Sequence, residues 1–143
     1  MITRRAALAL PLTLVTARDG FATPQEANAL VAEFTGGREP VRGKVSLENA
    51  ELIEDGHVVP VSIVLECAMT REDHVRSLLL VAGANPWPGI AKFSFSPLSG
   101  EARVKTRVRL AATQMVQAVA MMGDGSFYID RKTVEVTVGG CSN

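Results

Sequence analysis

The chain has 143 residues and a mass of 15.3 kDa, enough for one domain with a short appendage and too little for a multidomain machine. Fifteen Lys plus Arg balance fifteen Asp plus Glu, so net charge draws it neither to nucleic acid nor to an anionic membrane. A composition of 47% hydrophobic and 21% charged residues supports a packed core, and two His with two Cys at no metal-ligand spacing predict no metal site.

The N-terminus sets Arg4-Arg5 before an uncharged run from Ala6 to Ala17. These 12 residues fall short of the roughly 17–25 needed to span a bilayer as a helix. A basic head, an apolar run and small residues in that order predict an export signal. The paired arginines point to the twin-arginine route, with cleavage after Ala22 in Gly20-Phe21-Ala22. Residues 1–22 are therefore assigned to a leader and the mature protein to the periplasm. Removing them leaves 12 basic and 14 acidic side chains, a net charge of −2. In that compartment each cysteine is a possible half of a disulfide.

Next comes Thr23-Pro24-Gln25-Glu26, a capping box with Pro at the first helical position. Ala27, Leu30, Val31 and Phe34 share one helical face, and Gly36-Gly37 supplies the stop. From Val41 the hydrophobic period changes to two. Seven strands are expected at 41–47, 57–66, 74–81, 90–95, 101–110, 113–121 and 132–138, separated by glycine- and proline-rich turns. That spacing predicts an immunoglobulin-like antiparallel β-sandwich over residues 23–138, with a single antiparallel barrel as the competing fold.

Within 101–110, Ala102, Val104, Thr106, Val108 and Leu110 alternate with Arg103, Lys105, Arg107 and Arg109. The four cations form a stripe on one face. A solvated sheet surface crossed by acidic side chains of neighbouring strands is favoured over a site for an anionic partner or oxyanion.

The chain ends Val138-Gly139-Gly140-Cys141-Ser142-Asn143. Residues 139–143 read as a flexible arm carrying a thiol beyond the last strand, because two glycines add freedom and almost no width. A cysteine there suits nucleophilic and sulfur-exchange chemistry. The other reading is an interaction module stapled by a Cys67–Cys141 disulfide. Against it, Cys67 shares strand parity with Val61, Ile63, Leu65 and Met69 and is expected in the core. No Gly-x-Ser-x-Gly elbow or phosphate loop is present, and no catalytic constellation is found. His57 and His74 are expected at strand starts on the surface. Glu48, Glu51, Glu54 and Asp55 read as solvated turn carboxylates. Met115, Met121 and Met122 are expected to fill core or interface gaps.

Several segments together resemble the SoxY family, the sulfur-carrier subunit of the periplasmic thiosulfate-oxidising Sox system. They are Arg4-Arg5, Gly43-Lys44-Val45, Glu54-Asp55-Gly56 leading to Val59-Pro60-Val61, Met69-Thr70, Asn85-Pro86, Phe93-Ser94-Phe95-Ser96-Pro97, Ser99-Gly100, Thr106-Arg107-Val108-Arg109-Leu110 and Val136-Thr137-Val138-Gly139-Gly140-Cys141. The resemblance implies a carrier that is not itself an enzyme and needs no cofactor, with sulfur intermediates held covalently on Cys141. It implies a SoxZ-like heterodimer partner and transient docking with a cytochrome, a sulfate-releasing hydrolase and a sulfane dehydrogenase. Two departures stand out. Ser142-Asn143 replace the family's closing glycine pair, and Cys67 lies where a serine and proline are expected ahead of Met69.

Overall fold

A computed structural model of the chain describes residues 20–140. Most of the expected leader, residues 1–19, and the terminal residues 141–143 lie outside the described residues. Helix α1 (Pro24–Thr35) starts on the expected cap. The Thr23 hydroxyl accepts from the Glu26 N–H, and the Glu26 carboxylate accepts from the Thr23 N–H at 2.8 Å. Gly36 closes the helix at φ 63°, in the left-handed region that glycine enters without penalty.

Nine strands follow among the described residues: β1 (Val41–Arg42), β2 (Val45–Glu48), β3 (Leu52–Asp55), β4 (Val59–Leu65), β5 (Val75–Ala82), β6 (Gly89–Ser94), β7 (Arg103–Val108), β8 (Gln114–Met122) and β9 (Phe127–Val138). They form two sheets, which selects the sandwich over the barrel. The larger runs β1-β9-β8-β5-β6 with β3 also on β9, and the smaller runs β2-β4-β7.

Seven strands become nine for local reasons. Gly43 and Lys44, at φ 127° and 54°, break the expected 41–47 strand into β1 and β2. Strand β3 lies where only turn carboxylates are expected, and pairs in parallel with the end of β9 through Leu52–Glu135 and Asp55–Val138. Strand β9 begins five residues before the expected start at 132.

The main core lies between the sheets, where Val59, Ile63, Leu78, Leu80, Leu110, Val116 and Val134 are fully buried. Burying such side chains contributes about 1.5–3 kcal/mol each. On the other face of the large sheet, Ala27 and Val31 of α1 cover Leu79, Val81, Val119 and Ile129. Covered on both faces, β5 is buried at almost every position instead of alternating. Asp130 Oδ2 on β9 accepts from the Leu47 N–H on β2 at 2.8 Å, a polar tie between the sheets.

Candidate functional site

Cys141, Ser142 and Asn143 lie outside the described residues, so the site is built up to Gly140. Expected as a flexible tether, Gly139 and Gly140 are instead fastened to one end of the sandwich. The Gly140 N–H donates to Leu110 O at 2.8 Å, the Leu110 N–H to Gly56 O at 2.9 Å, and the Gly56 N–H to Val138 O at 2.8 Å. These three bonds knit the end of β9, the β3–β4 turn and the segment after β7 into one latch. Gly56 and Gly140 are buried. A Cβ on Gly139 would strike the Ala111 carbonyl, and one on Gly140 would strike the Gly56 carbonyl and His57 N. A Cβ on Gly56 would strike the Leu110 carbonyl and press on Gly140 N and Val136 Cγ1. None of the three has a positive φ, so space, not backbone freedom, demands glycine here.

The floor of the latch is set by two buried amides, Asn85, noted in the sequence only within Asn85-Pro86, and Gln114. Asn85 Oδ1 accepts from the Ala111 N–H and from Gln114 Nε2, both at 2.9 Å, while Asn85 Nδ2 donates to Arg109 O at 2.8 Å. Gln114 Nε2 also donates to Ala112 O, and its Oε1 accepts from the Ala84 N–H. Residues 109–112 are thereby pinned at both ends, which aims the Leu110 and Ala111 carbonyls at the terminal glycines. The Asn85 carbonyl takes a further bond from the Ala22 N–H at 2.7 Å. Ala22, the last residue of the expected leader, is buried at this contact. Thr113 Oγ1 accepts from the Val136 N–H at 3.0 Å and so secures the end of β9.

Against Gly140 lies the Gly56-His57 turn. Asp55 Oδ1 accepts from the His57 backbone N–H at 2.9 Å and from the ring Nδ1 at 2.6 Å. These two bonds, with the backbone one foremost, hold the Asp55 carboxyl below its ordinary pKa. Both side chains remain open to solvent.

The remaining expectations divide. Cys67 is a free thiol, only half-buried, because β4 ends at Leu65 and the following chain leaves the sheet while still packing on the core. Gly56 lies in the turn before β4 and Cys67 past its end. The six residue steps of β4 alone put roughly 20 Å between those ends, against a Cα separation of about 4.4–6.8 Å in a disulfide. A Cys67–Cys141 staple would require Gly140 to leave the latch, and Cys141 itself lies outside the described residues.

The cationic stripe lies on edge strand β7, but its neighbour β4 opposes Arg103, Lys105 and Arg107 with Val64, Ser62 and Pro60. No acid of β4 opposes them, and the acid that shares their face is Glu48 of β2, opposite Ser62. Among the described residues only Arg103 of the stripe has a carboxylate partner, Glu101 at 3.0 Å. His57 is exposed, whereas His74 is half-buried, with Nδ1 unpaired. Glu48 and Asp55 belong to strands β2 and β3. Met122 is core, while Met115 is exposed. Among the described residues no group of three or more His, Cys, Asp or Glu side chains is placed to hold a metal, and no helix is long and apolar enough to cross a membrane.

Fold and site together define an immunoglobulin-like sandwich that carries a cysteine one residue beyond a latched glycine pair. The family model of the sulfur oxidation protein SoxY matches residues 31–141, and the chain belongs to that family. Among solved structures it is similar to the sulfur carrier protein SoxY from Chlorobium limicola f thiosulfatophilum, with 23% identity, TM-score 0.65, and coverage of 81% of this chain and 100% of that one. It also shares the fold of superoxide reductase (neelaredoxin) from Ignicoccus hospitalis, at 15% identity, TM-score 0.57, and 81% and 94% coverage. A putative superoxide reductase from Thermotoga maritima gives 16% identity, TM-score 0.55, and 72% and 89% coverage. No curated protein sequence matches significantly.

Proposed function

We propose that the chain is a covalent sulfur carrier in thiosulfate oxidation, with Cys141 as the attachment point and residues 139–143 as the carrier segment. The observation that carries this reading is the latch. The family match runs through residue 141, and the fold holds Gly140, the residue before Cys141 in the sequence, in the latch with Leu110 and Gly56. In this scheme a cytochrome joins thiosulfate to the thiol. A sulfur–sulfur bond forms, the thiol proton leaves to solvent, and two electrons pass to the cytochrome. A hydrolase then splits the terminal sulfonate off with water as sulfate, and a dehydrogenase oxidises the sulfane sulfur that remains. The carrier binds and presents, while its partners catalyse.

The reading includes a SoxZ-like subunit as heterodimer partner and a periplasmic location reached through the twin-arginine leader of residues 1–22. Its support is the family membership together with Arg4-Arg5 and the apolar run that follows. Incubating the protein with thiosulfate and the partner enzymes adds sulfur-containing mass to the Cys141 peptide, and Cys141→Ser abolishes thiosulfate turnover. Undiminished thiosulfate consumption by that variant overturns the proposal.

A further inference from the structure

We propose that the free edge of β7 is a docking site for an acidic extended strand of a partner protein. The edge stands on its own geometry and not on the reading of Cys141 as the attachment point.

The backbone supplies the first observation. The Leu65 N–H bonds to Ala102 O at 3.0 Å, and hydrogen-bonded pairs alternate along an antiparallel ladder. Val104, Thr106 and Val108 therefore turn their backbone groups toward β4, while Arg103, Lys105 and Arg107 turn theirs away from it. On the other side of β4 the Glu66 N–H bonds to Lys44 O, which fits the same alternation. Strand β7 ends the small sheet, and among the described residues no strand pairs with its outer edge. A row of backbone donors and acceptors is open there, the feature on which an extended peptide adds to a sheet.

Charge decides what fits. Arg103, Lys105 and Arg107 are exposed and alternate with the core residues of β7, so their side chains share the outer face at intervals of about 6.8 Å. Across from them β4 sets Val64, Ser62 and Pro60. Ser62 Oγ makes no hydrogen bond, and Glu48, next in that row on β2, lies two strand spacings or about 9.6 Å from Lys105. Glu101 holds Arg103 at 3.0 Å. Lys105 and Arg107 are left without an ion-pair partner among the described residues.

A second copy of this edge is a poor occupant. Antiparallel pairing about Lys105 sets Lys105 against Lys105 and Arg103 against Arg107, and like charges directly opposite repel. The repulsion turns to attraction for a strand with Asp or Glu at every second position. The stripe thus selects against self-association and for an acidic partner.

The edge also leads to the latch. Past Val108 the chain runs through Arg109 to Leu110, whose carbonyl takes the Gly140 N–H. Three residue steps from Arg107 to Leu110 span at most about 10 Å, so a strand docked on β7 is held beside the latch.

The test titrates the purified full chain into an end-capped, fluorescein-labelled peptide of alternating Thr and Glu, read by anisotropy at about 20 mM and about 150 mM salt. A peptide of alternating Thr and Lys is the control. The Glu peptide is expected to bind, more weakly at the higher salt, and the Lys peptide not to bind. Lys105→Glu combined with Arg107→Glu weakens binding about tenfold or more. Amide hydrogen exchange locates the contact: the Arg103, Lys105 and Arg107 amides slow when the Glu peptide is bound, whereas those of Val104, Thr106 and Val108 stay as they are. No binding, equal binding of the Lys peptide, an unaffected double variant, or binding without slowed exchange at the three edge amides overturns the proposal. So does protection of those three amides in the free chain at high concentration, which gives the edge to a second copy. Should the double variant not fold, the exchange pattern of the parent decides alone. None of these readouts involves Cys141, so their failure leaves the carrier reading standing.

Discussion

Asn85 holds the latch although it touches neither terminal glycine. Its amide satisfies the Ala111 N–H, the Arg109 carbonyl and the Gln114 side chain in a buried setting. Truncating it strands the Ala111 N–H and the Arg109 carbonyl, while Gln114 keeps its bond to Ala112 O, and each buried group left without a partner costs about 1–3 kcal/mol. Asn85→Ala is therefore expected to lower stability by about 2–4 kcal/mol, read as a lower urea midpoint with unchanged slope. The Gly140 amide should also lose protection from hydrogen exchange, because its acceptor, Leu110 O, sits on the segment that Asn85 pins. Little of this was visible in the sequence. Asn85-Pro86 is a turn dipeptide by composition, and nothing local says that its amide reaches residues 109–114. Gly139 and Gly140 were legible as the important residues before the cysteine, but for their freedom. What decides their role is the bulk of Gly56 and Ala111, which no spacing rule brings beside them.

At the scale of elements, the β3–β4 turn joins the parts of the site. Strand β3 pairs with β9, its Asp55 orients His57, and Gly56 takes a bond from Leu110 while giving one to Val138. Gly56→Ala is expected to cost about 1–3 kcal/mol, the usual penalty for overfilling a packed site. Unlike a surface change, it should also speed exchange at the Gly140 amide, because the new methyl presses on Gly140 N. An unchanged urea midpoint together with full protection at Gly140 would contradict the latch. Strand β3 escaped the sequence reading because Leu52-Ile53-Glu54-Asp55 is short and does not alternate, and its parallel partner lies more than eighty residues on. The start of β9 falls before the expected one at 132 because the adjacent charges Asp130 and Arg131 break the apolar alternation in the sequence, whereas in the fold Asp130 bridges to β2. By contrast β4, β5, β7 and β8 matched their expected places within about two residues, since period and turn chemistry agreed there. The capped helix was equally readable, because all its signals are local.

Across the whole molecule, the latch at Gly140 and the free thiol of Cys67 belong to opposite ends of one strand. Strand β4 leaves the latch at Gly56-His57 and runs the length of the small sheet to the Glu66-Cys67 exit, where the Glu66 N–H bonds to Lys44 O. The glycine seat at one end and the half-buried free thiol at the other are separated by rigid, hydrogen-bonded sheet. Cys141 follows Gly140 in the sequence, so a bridge to Cys67 would require Gly140 to leave the latch. Mild oxidation of the folded protein, followed by nonreducing peptide mapping, should give no linked Cys67–Cys141 peptides from the monomer. Denaturing the chain before oxidation should produce them, because an unfolded chain closes a loop of this length at modest entropic cost. Quantitative recovery of that link from folded, active monomer would mean that the end of β9 leaves its seat and crosses the small sheet. The latch, and the thiol presentation built on it, would then be wrong together.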